Sequence, residues 1–341
     1  MVGVHVASNR SKGAGQLMIV ILLIAIAAGC ASALMFASII SGAPISLLLL
    51  YLAPLPLMVA GLAWGPLSAT IGGIAAATGL GALFGLPYCL TFAIGIALPA
   101  WWLGHLALLG RPTTSGVAPG DGTSPATPAL EWYPVGRILL WIAGFAILTT
   151  SATLLTLGTD AATITEMMRR TWQWFLGLSG AATTPETEQG IDALVIIAPA
   201  VLAIVAMMTL TLNLWLAAKI TATSGRLHRP WPDLKSAALP PMTLAALSIA
   251  IAFCFSGGLL AILARVVTGA LMMSYALVGF AVLHTLTLAL KHRAFWLVST
   301  YVVAAVFSWP VLAMAILGLA DAVFGLRQRY LQGRPPPLPT S

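Results

Sequence analysis

Few side chains in this chain could do chemistry inside a membrane, and those few stand far apart. Asn213 sits within Thr209-Leu210-Thr211-Leu212-Asn213-Leu214-Trp215, and Tyr275 and His284 share one later apolar run. Polar groups in hydrocarbon are costly and need partners, so each is a candidate site. Asn213, Trp215, Tyr275 and His284 are the candidate ligand-binding residues. The plainer role for Asn213 is a helix–helix hydrogen bond, and for His284 a satisfied core histidine. Arg265, between two apolar runs, suits a lipid phosphate or the acidic loop near residue 160, and an anionic substrate is its other reading. Thr149, Thr150, Ser151, Thr153 and Thr156 share one run. Hydroxyls in membrane helices usually bond back to their own backbone.

Standard catalytic spacing is missing. The chain has no GxxxxGK[ST], no HExxH, no GxSxG and no paired carboxylates placed to flank a cleft, which argues against an enzyme and against ATP hydrolysis by a P-loop. Cys30, Cys89 and Cys254 form no CxxC pair and read as small core hydrophobes. No metal and no cofactor are expected.

The elements that must position these residues follow from composition. Apolar residues are 60% of 341 and charged residues 7%, with a mean hydropathy of +0.98. Charge that sparse cannot cover a water-exposed surface of this size. Runs of about 20 apolar residues match the hydrocarbon thickness of a bilayer. The fold class is all-α, a polytopic transmembrane bundle of eight to nine spans. The expected spans are 17–40, 45–64, 67–86, 88–109, 135–157, 191–218, 242–263, 266–290 and 295–319. Residues 1–16 form a cytoplasmic N-terminus, 110–134 a polar loop, 158–190 an external loop, 219–240 a cytoplasmic loop and 320–341 a Pro-rich tail. The net charge of +7 is spread over span ends, where it fixes orientation and meets lipid head groups, and it points to no nucleic acid. Within the external loop, Ile164 to Leu178 reads as an interfacial helix with Met167, Thr171, Trp174 and Leu178 on one face, or as a loop helix over the bundle mouth.

Small residues recur every four positions in two spans. Ala25, Gly29, Ala33 and Ala37 form one ladder, and Gly65, Ala69, Gly73, Ala77, Gly81 and Gly85 another. Such faces let helix backbones approach closely. Both ladders suit packing within the bundle, and the first is also a candidate docking face for a second membrane protein.

Three stretches resemble the YybS-like family of predicted bacterial membrane proteins. They are Gly61-Leu62-Ala63-Trp64-Gly65-Pro66 with Pro44 and Leu55-Pro56 before it, Asn213-Leu214-Trp215-Leu216-Ala217 with Arg229-Pro230-Trp231-Pro232 and Leu239-Pro240, and Leu317-Gly318-Leu319-Ala320-Asp321 with Arg327. The resemblance implies a multi-pass protein of a bacterial inner membrane. The N-terminal half is distantly similar to substrate-binding subunits of energy-coupling-factor vitamin transporters, in which small residues of the first helix dock onto a coupling subunit. That similarity implies residues 17–109 as a substrate-subunit-like part, a vitamin-like ligand, and partners comprising a transmembrane coupling subunit with ATPases. The alternative is a non-transporting scaffold or regulator that acts through helix contacts. In either case membrane lipids are partners.

Overall fold

The computed structural model describes residues 2–113, 129–178, 184–233, 236–307 and 309–332, with side chains from residue 15 onward except residue 17. The interior of the polar loop, 114–128, and the Pro-rich tail from 333 lie outside them. Helices dominate, and among the described residues seven are long and apolar enough to cross a bilayer, or eight if one bent pair counts as a span.

The chain divides into two compact units. The first comprises residues 1–133 and 209–231. Its helices are α1 (Val2–Ala37), α2 (Pro44–Leu52), α3 (Pro54–Trp64), α4 (Pro66–Phe84), α5 (Leu86–Phe92) and α6 (Leu98–Leu108). A π turn, Ala93–Ala97, joins α5 to α6 just before Pro99. The end of α6 leads into a two-stranded antiparallel ribbon, β1 (Gly110–Thr113) with β2 (Ala129–Trp132). The apolar pattern carried no sign of this ribbon.

Proline positions explain the joints. Pro44, Pro54 and Pro66 each open a helix, where a missing N–H costs nothing. A tight turn at Trp64-Gly65-Pro66 fills the gap between the expected spans 45–64 and 67–86. Gly65 takes φ 92°, a conformation that a side chain disfavours, and the Ser68 hydroxyl donates to the carbonyls of Ala60 and Gly65 at 2.7 Å each.

The second unit comprises residues 134–208 and 232–341. It holds α7 (Val135–Leu157), α8 (Ala161–Phe175), the N-terminal part of α9 (Pro185–Thr223), α10 (Met242–Phe253), α11 (Gly258–Leu286), α12 (Arg293–Val306), α13 (Trp309–Phe324) and α14 (Leu326–Gln332). The span starting at Gly258 is the core helix. Its most apolar stretch is 67% buried, whereas the other candidate spans reach at most 44%. Glycines let neighbours reach its backbone. A Cβ at Gly279 would meet the carbonyl of Met314, one at Gly318 the carbonyl of Tyr275, and one at Gly269 the carbonyl of Ala200.

Two expected spans change here. The run 242–263 breaks at Cys254–Gly257, because Gly257 and Gly258 adopt φ 80° and 63°. What remains, α10, has 12 residues and a length of about 18 Å, short of the roughly 30 Å hydrocarbon core. The run 295–319 divides into α12 and α13 ahead of Pro310, and α12 alone is also too short. The axes of α13 and α14 differ by 66°, with Gly325 at φ 63° in the corner.

Candidate functional site

Arg265 is the cation around which the second unit offers a cavity. A pocket of about 220 Å³ is lined by α8 (Ala161, Thr165, Met168), by α9 (Val195, Ile196, Pro199) and by Gly257 to Arg265. Each wall has a local cause. Pro199 lacks an N–H, so the Val195 carbonyl loses its helix donor at a position that also faces the pocket. Gly257 and Gly258 start α11, whose first N–H groups carry the positive end of the helix dipole. Arg265 lies about two turns further along α11. Among the described residues it makes no ion pair.

The nearby acids are engaged elsewhere. Arg169 bonds Glu188 at 2.7 Å and also Asp192, tying α8 to α9. Arg170 bonds Glu166 at 2.8 Å. Asp160 caps α8, accepting from the Thr163 N–H at 2.9 Å and its hydroxyl at 2.6 Å. Those two bonds hold its carboxyl below the usual carboxylate range, as bonding to the charged form does. The acidic loop therefore stitches itself together and, among the described residues, offers Arg265 no carboxylate.

The α8 helix serves the pocket with one side and faces outward with the other. Ile164 and Met168 are buried, while Met167, Trp174 and Phe175 are exposed. An outer face of aromatic and apolar residues on a charged helix is what the lipid interface accommodates. The helix covers Ala161–Phe175, overlapping the stretch 164–178 read as interfacial from the sequence but starting and ending three residues earlier.

The four candidate ligand residues are not brought into this pocket. Asn213 and Trp215 belong to the first unit, Tyr275 and His284 to the second. Asn213 is fully buried, and its Nδ2 donates to the carbonyls of Tyr51 and Thr209 at 2.7 Å each. Tyr51 borders the break between α2 and α3, and Ser32 donates across the same break to the Ala53 carbonyl. Side chains from α1 and α9 thus bond carbonyls beside that break. The helix–helix role expected of Asn213 describes this bond. Trp215 is 49% exposed. Tyr275 is buried in a cluster with Leu247 and Leu271, and its hydroxyl shares a 2.9 Å bond with Thr243. His284 lies near the end of α11, its Nε2 3.3 Å from the Tyr301 hydroxyl.

The small-residue ladder of α1 is occupied from within. Ala25 and Gly29 are buried against α4. A Cβ on Gly29 would strike the Gly72 carbonyl, and one on Gly72 the Ala25 carbonyl. A partner helix cannot enter that groove while α4 fills it. Ala33 and Ala37 are half-buried. The ladder seen in α4 faces elsewhere: a Cβ on Gly73 would sit 3.2 Å from Ala97, and one on Gly81 3.1 Å from Cys89. The cysteines also correct an expectation. All three are free, Cys30 is exposed and Cys89 and Cys254 are half-buried, so none is a core residue.

Two residues met only as parts of short resemblance motifs hold the structure together. Arg229 donates to the carbonyls of Ala107 at 3.1 Å and Tyr133 at 2.9 Å, clamping the end of α6 to the ribbon. Burial pushes its pKa below the usual arginine value. Arg327 meets Asp321 at 2.7 Å with both side chains 7% exposed. It also donates to the Ala237 carbonyl at 2.9 Å. Only their pairing in space reveals them, since spacing of six residues across a helix break has no sequence signature.

The family described as "Predicted membrane protein (DUF2232)" matches residues 29–322. The chain belongs to this family. The match covers α2 to α12 entirely, together with the glycine contact of α1 and nearly all of α13, including Asp321. No curated protein and no solved structure matches the chain. It is a multi-pass membrane protein, and the family description adds no activity.

Proposed function

We propose that this membrane protein binds a compact amphiphile with one negative charge in the pocket between α8, α9 and α11, as a binding protein and not a catalyst. One observation carries the reading: Arg265 faces a mostly apolar cavity without a carboxylate partner among the described residues. A cation two turns inside a membrane helix is costly when unpaired. A carboxylate or phosphate there would meet both the guanidinium and the start of α11. The apolar walls would take a short hydrocarbon body.

The size of the cavity narrows the ligand. At about 220 Å³ it lies below the roughly 300–1,000 Å³ of drug-sized sites. That volume suits a short amphiphile or one end of a lipid better than a whole vitamin. The resemblance to substrate-binding subunits supports an uptake role in a bacterial inner membrane, energised by separate subunits. A coupling subunit would have to meet a surface other than the groove at Ala25 and Gly29.

Native mass spectrometry of the purified chain tests the reading. An adduct of a few hundred daltons, present in the wild type and lost in both Arg265→Gln and the pocket-filling Ala261→Phe, supports it. A wild type without any such adduct, after incubation with medium-chain carboxylates, overturns it. The scaffold alternative predicts that neither substitution changes the bound species.

A further inference from the structure

At the opposite end of α11 from Arg265, two buried polar atoms have no partner among the described residues. They are Nδ1 of His284 and Nε of Arg293. The two residues are joined, because Nη2 of Arg293 donates to the His284 carbonyl at 3.3 Å. Tyr301 closes the group. Its hydroxyl is 3.3 Å from Nε2 of His284, and its ring stacks on Phe280 at 5.1 Å.

Proton assignment gives the orphans a common sign. The phenol is the better donor, so Nε2 accepts and Nδ1 carries the hydrogen. Nε of Arg293 is always a donor. Both unmet atoms are therefore donors, and neither has an acceptor among the described residues. Lys291 and His292 lie beside them in sequence, and none of Lys291, His292 and Arg293 is in an ion pair among the described residues. The charge around the orphans is positive. An acceptor-only, negatively charged group answers both observations, and a guanidinium prefers a multi-oxygen anion.

Depth narrows the choice. His284 follows Arg265 by 19 residues, about 28 Å along the helix. His284 lies in the last turn of α11, a helix of 29 residues that is longer than the roughly 30 Å hydrocarbon thickness, so the group sits at one membrane boundary. Phosphate is the oxyanion abundant at that level. We infer that the corner between α11 and α12 is a binding site for a phosphate group, held by Arg293 and His284, with Tyr301 fixing the imidazole. The phosphate belongs to a lipid headgroup or to a small phosphate in solution. The inference is independent of the Arg265 pocket.

The test uses the full chain in nanodiscs containing phosphatidylglycerol, with retained lipids counted by native mass spectrometry. The same chain in detergent is titrated with inorganic phosphate and followed by phosphorus NMR. If a headgroup is the ligand, Arg293→Gln and His284→Gln each lose about one retained phosphatidylglycerol. If free phosphate is the ligand, lipid counts stay equal and phosphate binding weakens by about tenfold or more in both variants. Equal lipid retention together with no phosphate binding by the wild type overturns the inference. Should either glutamine variant fail to fold, Arg293→Lys keeps the charge without the planar fork and is expected to show a partial loss. Arg111→Gln, which removes an exposed arginine of the ribbon paired with Glu131, serves as the control and leaves both readouts unchanged.

Discussion

Replacing Asp321 with Asn removes one charge and almost no volume, and its consequence can be worked out from the contacts. Nε and Nη2 of Arg327 reach Oδ2 of Asp321 at 2.9 and 2.7 Å, and the Arg327 backbone N–H reaches Oδ1 at 2.9 Å. Both side chains are 7% exposed, so water does not replace what is lost. Removing one member of a buried pair strands the other charge and costs about 3–5 kcal/mol. For a unit of this size each kcal/mol moves the midpoint by about 2–4 °C, which gives a drop of roughly 6–20 °C. The pair also sets the 66° corner between α13 and α14 and holds the Ala237 carbonyl, so the loss spreads to the segment before α10. Thermal unfolding in mild detergent, followed by circular dichroism, reads the shift. The double variant Asp321→Asn with Arg327→Met strands no charge and is expected to recover much of it. A midpoint within about 2 °C of the wild type for the single variant, or effects that simply add in the double, would refute the reasoning.

Gly72→Leu places a side chain on the Ala25 carbonyl, and overpacking of this kind costs about 1–3 kcal/mol or more; a lowered midpoint in detergent is expected, and an unchanged one would mean that α1 and α4 do not touch here. Asn213→Leu loses the bond to Tyr51, worth about 0.6–2 kcal/mol between membrane helices, and faster hydrogen exchange around residues 50–54 is the sign to look for. Exposed Trp174 on α8 is expected at headgroup depth, so lipids brominated near the glycerol end of their chains should quench it more than lipids brominated at the chain terminus. Reversed quenching would take α8 out of the interface.

Length and hydropathy made most of the spans legible, because a helix in lipid must satisfy its own backbone and must be apolar for about 20 residues. Residues 135–157 form α7 as expected, and the Trp64-Gly65-Pro66 turn was visible because proline and glycine act locally. The same reasoning misplaced the start of α11. Its break depends on two adjacent glycines at positive φ, which hydropathy does not register. It also drew α12 and α13 as one span, since the apolar run continues across the corner before Pro310.

The candidate site was legible only in pieces. Arg265 stood out singly, as a lone cation, and Pro199 lies inside a helix, α9, that runs on through it. Their meeting depends on α8 folding over Gly257 and Gly258, and no local pattern encodes that. Asn213, Tyr275 and His284 attracted notice for being polar in apolar runs. Two of the three have their partners in neighbouring backbone or hydroxyl groups, Tyr51 for Asn213 and Thr243 for Tyr275. Small-residue ladders show that a close approach exists and cannot say to which helix, which is why the face of Gly29 could be read toward a partner when α4 fills it.

Equilibrium binding of radiolabelled octanoate to the nanodisc-embedded chain bears on the pocket most directly. Saturable binding at one site per chain, weakened about tenfold or more by Arg265→Gln, is the predicted outcome. Binding that is non-saturable, or equal in the wild type and the variant, would contradict it.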